Sequence, residues 1–165
     1  GIPVIYYGSE TGFMRGTAEH AGNRNYFGQE RIDAAPGSPI FAPLRRIAQL
    51  RRDTPALQRG LQLNVRLKGD QAVFYRVLQH EGINQTALVM LNKGDKATRV
   101  SVSDYLQQGE WRDAFTGRAQ RVRNRLEAEV PAHGVRVFLL DAPVTRADTR
   151  ARLAELMERK SPKAD

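Results

Sequence analysis

The pattern of apolar and polar positions first predicts a helix in residues 40–48. Apolar residues recur there at helical spacing, directly after Ser38 and Pro39. Ser is a favoured N-cap and Pro is favoured at the first helical position, so these two residues mark the start of the helix. Pro43 should kink this helix or move its start to about residue 42. The helix should end before Pro55, since the residue that precedes a proline resists the α region.

From residue 61 onward the pattern changes, and apolar residues alternate with polar ones at a period of two. Glycine-containing turns separate the alternating segments. The predicted strands are 61–67, 72–77, 87–91, 99–102, 111–115, 126–130 and 135–140. Short strands repeated at roughly 8–12-residue intervals are typical of an antiparallel β-sandwich.

The two ends of the chain show other patterns. Residues 1–8 form an apolar run closed by glycine, which predicts a strand buried on both faces. Residues 9–37 are rich in glycine and show no period, which predicts a long loop that is either functional or disordered. From residue 144 onward a helical stripe returns, and the chain should fray after Ser161-Pro162. The stripe consists of Ala151, Leu153, Leu156 and Met157.

The chain carries 26 Lys and Arg against 18 Asp and Glu, a net charge of +8, so an anionic partner has to be considered. The cations are mostly arginines scattered along the chain. The densest group is Arg118, Arg121, Arg123 and Arg125, which includes no aromatic residue for base stacking. The last three are spaced by two, which places them on one strand face and favours a solvated sheet edge. We therefore expect no nucleic-acid partner.

The absence of cysteine excludes disulfides, thiolate metal sites and cysteine nucleophiles. No apolar run approaches the roughly 20 residues of a membrane span, so we expect no membrane partner. The N-terminus lacks Met and a basic region, and it reads as a strand entered midway, which indicates a piece of a longer chain. The sequence is compatible with a periplasmic, a secreted or a cytoplasmic protein.

Three segments, in order, resemble the C-terminal third of the α-amylase family of glycoside hydrolases. Residues 1–10 (GIPVIYYGSE) are similar to the eighth barrel strand and the turn after it. Residues 44–60, with the cadence Leu-Arg-Arg, Pro-Ala-Leu and Gly, are similar to the eighth barrel helix. The strands containing FYR (74–76), ALVMLN (87–92), WRD (111–113) and PAHGVRVFL (131–139) resemble the β-domain that follows the barrel. The family includes α-amylase, cyclomaltodextrinase and cyclodextrin glucanotransferase.

The resemblance implies a fold that is mainly β. A closed (β/α)₈ barrel takes about 250 residues, so this chain is too short for one. We expect residues 1–58 to be a strand–loop–helix remnant of the barrel, 59–142 an antiparallel β-sandwich, and 143–165 a C-terminal helical tail. A barrel strand without its neighbours leaves backbone groups unpaired. Residues 1–12 should therefore self-associate with a second copy or fold back on the sandwich.

The resemblance also implies an enzyme that hydrolyses or transfers α-1,4-glucans with retention, a reaction that needs two carboxyl groups. The family carries them on barrel strands four and five, with a third acid after strand seven, all upstream of Gly1. We therefore expect no catalytic residue here, and a structural role for the lone Glu10. Glu19 and His20 lack metal-ligand spacing, so neither a metal nor another cofactor is expected. The resemblance leaves open whether the parent enzyme binds calcium.

The loop at residues 19–24 is similar to the family's Asp-Pro-x-Asn-Arg loop, which contacts sugar hydroxyls. Asn23 and Arg24 match it, whereas His20 stands where the Asp is expected. Arg24 is either a substrate contact or part of a loop ion pair. Tyr7 either lines the sugar cleft or packs in a core, since aromatic faces suit both roles. The predicted substrate-binding residues of the parent are thus Tyr7, Asn23 and Arg24.

The chain itself should support the fold and supply a sugar-subsite loop, and it should be inactive alone. The first alternative is a non-catalytic carbohydrate-binding β-module, which would need exposed aromatics on one sheet face. Trp111 is the main candidate, although its strand position favours core packing. The remote alternative is nucleic-acid binding, with steep salt dependence. His80 and His133 lie beside turn glycines and should be surface residues.

Overall fold

The computed structural model describes residues 8–11 and 28–158, apart from the Glu10 side chain. The chain divides into two compact units, 1–51 and 52–165. In the first unit the described residues form a 3₁₀ turn at Ser9–Thr11, helix α1 (Gln29–Ala34) and a second 3₁₀ turn at Ala35–Gly37. The prediction of a loop through residue 37 is therefore wrong from residue 29. Helix α1 is too short, and too exposed throughout, to leave an apolar period in the sequence.

Helix α2 (Phe41–Asp53) confirms the helix predicted after Ser38-Pro39. The Ser38 Oγ accepts a hydrogen bond from the Ile40 N–H at 3.2 Å. Pro43 lies in the first turn, where backbone N–H groups lack intrahelical partners, so a proline is tolerated there. Thr54 is extended and ends α2. The sequence pattern did not predict the next helix, α3 (Pro55–Arg59), which has proline at its start.

The second unit is built from eight antiparallel strands. They are β1 (Leu61–Lys68), β2 (Gln71–His80), β3 (Ile83–Asn92), β4 (Thr98–Val102), β5 (Gly109–Asp113), β6 (Ala119–Val122), β7 (Leu126–Val130) and β8 (Gly134–Leu140). Six of them form one sheet in the order β1-β2-β3-β8-β5-β6, and β4 pairs with β7 in a second sheet. All seven predicted strands are present, and β6 is the additional one.

Side chains from both sheets share one core. Tyr75 on β2 and Trp111 on β5 are its largest fully buried members, and Val100 and Val130 reach it from the two-stranded sheet. The two sheets therefore face each other across this core, and the prediction of an antiparallel β-sandwich is confirmed. Residues 8–11 and 28–158 include no closed barrel.

Helix α4 (Ala147–Glu158) follows the last strand, which confirms a helix at this end of the chain. Thr149 is buried, and Leu153 and Leu156 pack against the core. Ala151 and Met157 are exposed, so the predicted helical stripe contacts the core only through Leu153 and Leu156. A prediction from apolar residues alone does not include Thr149, because threonine is polar. Its hydroxyl donates a long hydrogen bond of 3.5 Å to the Tyr105 carbonyl.

No helix among the described residues has the length and apolar character that a membrane span requires. The division of the chain at residues 58 and 142 stays a prediction.

Candidate functional site

The residues predicted to bind sugar, Tyr7, Asn23 and Arg24, lie outside the described residues, as do Glu19 and His20. Their roles stay predictions. The backbone of Glu10 belongs to the 3₁₀ turn Ser9–Thr11, whereas its side chain is outside the described part.

Within the second unit, a cleft of about 460 Å³ opens between the β5–β6 end of the six-stranded sheet and strand β7. We call it the β6–β7 cleft. Its charged lining residues are Asp113, Arg118, Glu127, Glu129 and Arg136. The cleft therefore combines guanidinium and carboxylate groups from both sheets.

Asp113 is fixed in the cleft by the turn that joins β5 to β6. Its Oδ1 accepts hydrogen bonds from the N–H groups of Phe115 and Thr116, at 2.8 and 2.9 Å. Gly117 has a φ of 75°, a conformation that glycine adopts without strain, and its N–H donates to the Asp113 carbonyl at 2.8 Å. An aspartate that bonds to its own turn in this way is held in one orientation.

Arg136 on β8 connects the two sheets. Its Nη1 lies 3.5 Å from the Asp113 Oδ2, and its Nε donates to the Glu129 carbonyl on β7 at 3.1 Å. The Asp113 side chain is 11% exposed and that of Arg136 is 34% exposed, so solvent screens this pair only in part. Arg136 therefore links the two walls of the cleft.

The sequence interpretation did not identify Asp113 and Arg136 as a pair. The signal was present, because Asp113 lies two residues after the buried Trp111 and Arg136 two residues before the buried Phe138. Alternation in a strand places residues i and i+2 on the same face. Charged residues at two inward-facing positions therefore indicate an ion pair or a polar cavity at the rim of the core.

The arginine cluster is only partly as predicted. Strand β6 is an edge strand, and Arg121 lies on it opposite Glu110 of β5. Arg123 and Arg125 lie beyond the end of β6, so the three residues do not share one strand face. The Arg125 Nη1 lies 3.6 Å from a carboxylate oxygen of Glu127. The cluster is therefore a solvated edge interleaved with acidic side chains.

Trp111 packs in the core, as predicted. It is fully buried, and its Nε1–H donates to the Gln107 carbonyl at 2.9 Å. Tyr75 is buried beside it and donates its hydroxyl proton to the Asp104 carbonyl at 2.9 Å. Burial raises the pKa of Tyr75 well above its usual value. Each aromatic side chain in the described part of the chain is buried or half-buried.

Both described histidines are surface residues, as predicted. The Nε2 of His80 lies 3.5 Å from Glu81, and the Nε2 of His133 lies 2.9 Å from Asp95. The His80 and His133 side chains are 63% and 67% exposed. Across residues 8–11 and 28–158, His, Asp and Glu side chains do not gather in groups of three or more that could hold a metal ion.

Comparison with known proteins gives one curated relative and many similar structures. Cyclomaltodextrin glucanotransferase from Klebsiella oxytoca is 29% identical over 101 residues, which cover 59% of this chain and 15% of that protein. No protein-family model matches the chain.

Two solved α-amylases resemble most of the chain. The enzyme from Anoxybacillus aligns with a TM-score of 0.60 and 25% identity, covering 88% of this chain and 30% of that one. The enzyme from Geobacillus thermoleovorans, solved in complex with acarbose, gives a TM-score of 0.67 at 23% identity, covering 86% and 30%. The chain thus spans under a third of either structure. In sequence and in fold it resembles enzymes of the α-amylase family, as its motifs indicate.

Proposed function

We propose that this chain is the C-terminal part of an enzyme that hydrolyses or transfers α-1,4-glucans with retention of anomeric configuration. The observation that carries the proposal is the sequence match to a cyclomaltodextrin glucanotransferase. The fold supports it, because most of the chain aligns with the α-amylases of two bacteria.

Retention requires two carboxyl groups roughly 5–5.5 Å apart. One is the nucleophile that forms a covalent glycosyl-enzyme. The other first protonates the leaving oxygen and then activates the acceptor, which is water in hydrolysis and a sugar in transfer. We assign both carboxyl groups to the part of the enzyme that precedes Gly1, so this chain alone should be inactive.

In this proposal residues 19–24 form a sugar-subsite loop. The Arg24 guanidinium can only donate hydrogen bonds, so it would bind the oxygen atoms of sugar hydroxyls. The Asn23 amide both donates and accepts, and the Tyr7 ring offers a flat face to sugar C–H groups. We assign no cofactor to this chain and leave calcium to the rest of the enzyme. Self-association through residues 1–12 also remains a proposal.

The described residues favour a supporting domain over an independent carbohydrate-binding module. Such a module would present exposed aromatic side chains on a sheet face. Trp111 and Tyr75 are instead buried between the two sheets. Their hydrogen bonds to Gln107 and Asp104 hold loop segments against the core.

The test compares the 165-residue chain with the longer protein encoded by its gene, each incubated with soluble starch and maltoheptaose. We expect reducing-sugar release or glucan transfer from the longer protein alone, with ¹H NMR showing the α-anomer as the first product. Turnover by the 165-residue chain would contradict our assignment of the carboxyl groups. Inactivity of the folded longer protein would contradict the proposed function.

Variants of the longer protein test the subsite loop. Arg24→Ala should raise KM at least about tenfold if the lost hydrogen bonds are charge-assisted and specific to substrate. Arg31→Ala is the matched control, because Arg31 is an exposed arginine on helix α1, which follows the loop in the sequence. Equal kinetics for the two variants would assign Arg24 to a loop ion pair instead.

A further inference from the structure

We propose that the β6–β7 cleft is an accessory binding site for a neutral oligosaccharide, namely a short α-glucan. The identity of the sugar rests on the proposed function, whereas the neutrality of the ligand rests on the cleft itself. Its volume of about 460 Å³ lies in the range of roughly 300–1,000 Å³ that small-molecule sites occupy.

The charged lining residues carry a net charge of only −1, which Arg125, paired with Glu127 from outside the lining, brings to zero, so an ionic ligand is disfavoured. Asp113 is paired with Arg136, and Glu127 with Arg125. The remaining charged lining residues, Arg118 and Glu129, have opposite signs. An anion or a metal cation therefore meets little net attraction. A sugar hydroxyl both donates and accepts, so it suits a wall where guanidinium donors alternate with carboxylate and amide acceptors.

The walls are held in place before a ligand arrives. Asp113 is fixed by its turn, and Arg136 joins it to the Glu129 carbonyl of the opposite sheet. Polar groups fixed in advance bind without a further loss of side-chain freedom. Ala128 and Phe138 also line the cleft and give it an apolar portion that suits the C–H faces of a sugar ring.

Arg118 and Gln120 are the side chains best placed to make the sugar specific. Both line the cleft and both are exposed, Arg118 directly before edge strand β6 and Gln120 on it. Neither belongs to the core, so we expect the chain to fold when both are replaced by alanine. Since the cleft offers no exposed aromatic face, we expect a dissociation constant on the order of 1 mM.

The test is a titration of the ¹⁵N-labelled 165-residue chain with maltoheptaose, followed by amide chemical shifts. We expect saturable shifts in residues 116–120 and 127–129. The double variant Arg118→Ala/Gln120→Ala should weaken binding at least about fivefold, a loss of one or two hydrogen bonds. Arg123→Ala, an exposed arginine outside the cleft lining, is the control and should bind as the unchanged chain does.

Three results would overturn the inference. One is the absence of saturable shifts at these residues up to about 10 mM oligosaccharide, well above the expected dissociation constant. Another is equal binding by the double variant and the Arg123→Ala control. The third is that inorganic phosphate or calcium ions, titrated separately, shift the cleft residues while maltoheptaose does not.

This outcome is separable from that of the proposed function. If the longer protein turns over glucans while the cleft binds none, only the accessory site is rejected. If the cleft binds maltoheptaose while the folded longer protein is inactive, the enzyme proposal is rejected and the binding site stands.

Discussion

Asn92, at the end of β3, joins the turn that follows it to the segment between β7 and β8 through one side chain. Its Nδ2 donates to the carbonyl oxygens of Lys96 and Pro131, at 2.8 and 2.9 Å, and its Oδ1 accepts from the Gly94 N–H at 3.0 Å. The residue is 4% exposed. An amide suits this position because it carries donors and an acceptor in one group, whereas an ionised carboxylate only accepts.

We therefore expect Asn92→Asp to lower the free energy of unfolding by about 3 kcal/mol, since buried carbonyls lose their donors and face a negative charge. The measurement is urea unfolding at pH 7, followed by circular dichroism. Asn124→Asp is the control, because Asn124 is exposed between β6 and β7. Equal effects of the two substitutions would contradict the role assigned to Asn92.

Asp148, in the first turn of α4, provides a prediction for pH. A hydrogen bond from Arg146 lowers the pKa of Asp148 from 3.8 to about 2, and the Arg146 Nε lies 2.9 Å from its Oδ1. Because folding favours the ionised form, the stabilisation is complete above about pH 4 and is lost as the pH falls towards 2. The side chain is 47% exposed, so solvent screening limits the effect to about 1 kcal/mol or less.

Asp148→Asn should accordingly destabilise the chain by up to about 1 kcal/mol at pH 7 and by a smaller amount at pH 2. Urea unfolding at both pH values measures the difference. Glu158→Gln, an exposed acid at the other end of α4, should change the free energy of unfolding by less than about 0.5 kcal/mol. A deficit for Asp148→Asn that grows at pH 2 would contradict the assignment.

At the scale of elements, Gly60 connects α3 to β1 at a point with no room for a side chain. A Cβ there would lie 2.5 Å from the Ala56 carbonyl oxygen and 2.9 Å from the backbone N and O of Val77. The backbone of Gly60, with φ −61° and ψ 151°, is accessible to any residue. The requirement is therefore space for the close approach of α3 and β2, not conformational freedom.

Gly60→Ala should destabilise the second unit by about 1–3 kcal/mol, since backbone atoms have to move apart. Gly37→Ala is the matched control, because no heavy atom lies within 4 Å of its added Cβ. Thermal unfolding of both variants gives the comparison. A melting temperature of Gly60→Ala equal to that of the control would show that the close approach can relax.

The register of α4 gives a second prediction at this scale. Leu153 packs against the core, whereas Met157, one turn later, is 57% exposed. Leu153→Ala should cost about 2 kcal/mol, the low end for a core leucine because Leu153 is only partly buried. Met157→Ala should cost less than about 0.5 kcal/mol. If urea unfolding shows that both variants lose the same free energy of unfolding, Leu153 and Met157 contribute equally to the core, and the register of α4 in this structure is contradicted.

The elements also show how far sequence reasoning reaches. Strand β2 was predictable because its burial alternates at a period of two, and β3 because it carries a continuous apolar run at residues 87–91, typical of a strand covered on both faces. Strand β6 has four residues, of which Val122 alone is buried, so it leaves no alternation to detect. Alternation marks Asp113 and Arg136 as inward-facing charged residues, but that they pair with each other depends on β5 and β8 being neighbours in the sheet, which the sequence does not give.

At the scale of the whole molecule, the net charge of +8 comes from basic residues scattered along the sequence, and in the described part of the second unit several of them face acidic residues. Arg121 lies opposite Glu110, while Arg125 and Arg136 are paired with Glu127 and Asp113. A nucleic-acid site needs cations that can neutralise successive phosphates, and aromatic side chains add stacking. Near the β6 edge the arginines are interleaved with carboxylates instead.

We therefore expect duplex DNA to bind this chain weakly and without sequence preference. Fluorescence anisotropy should detect association at about 20 mM salt and none at about 200 mM, because release of condensed counterions drives such binding. Maltoheptaose binding should be unchanged over the same range, since a neutral ligand displaces no counterions. Saturable DNA binding that persists at about 200 mM salt would contradict this expectation and favour a nucleic-acid role over the proposed role in glucan conversion. The arginines of the β6 edge would then be the first residues to replace.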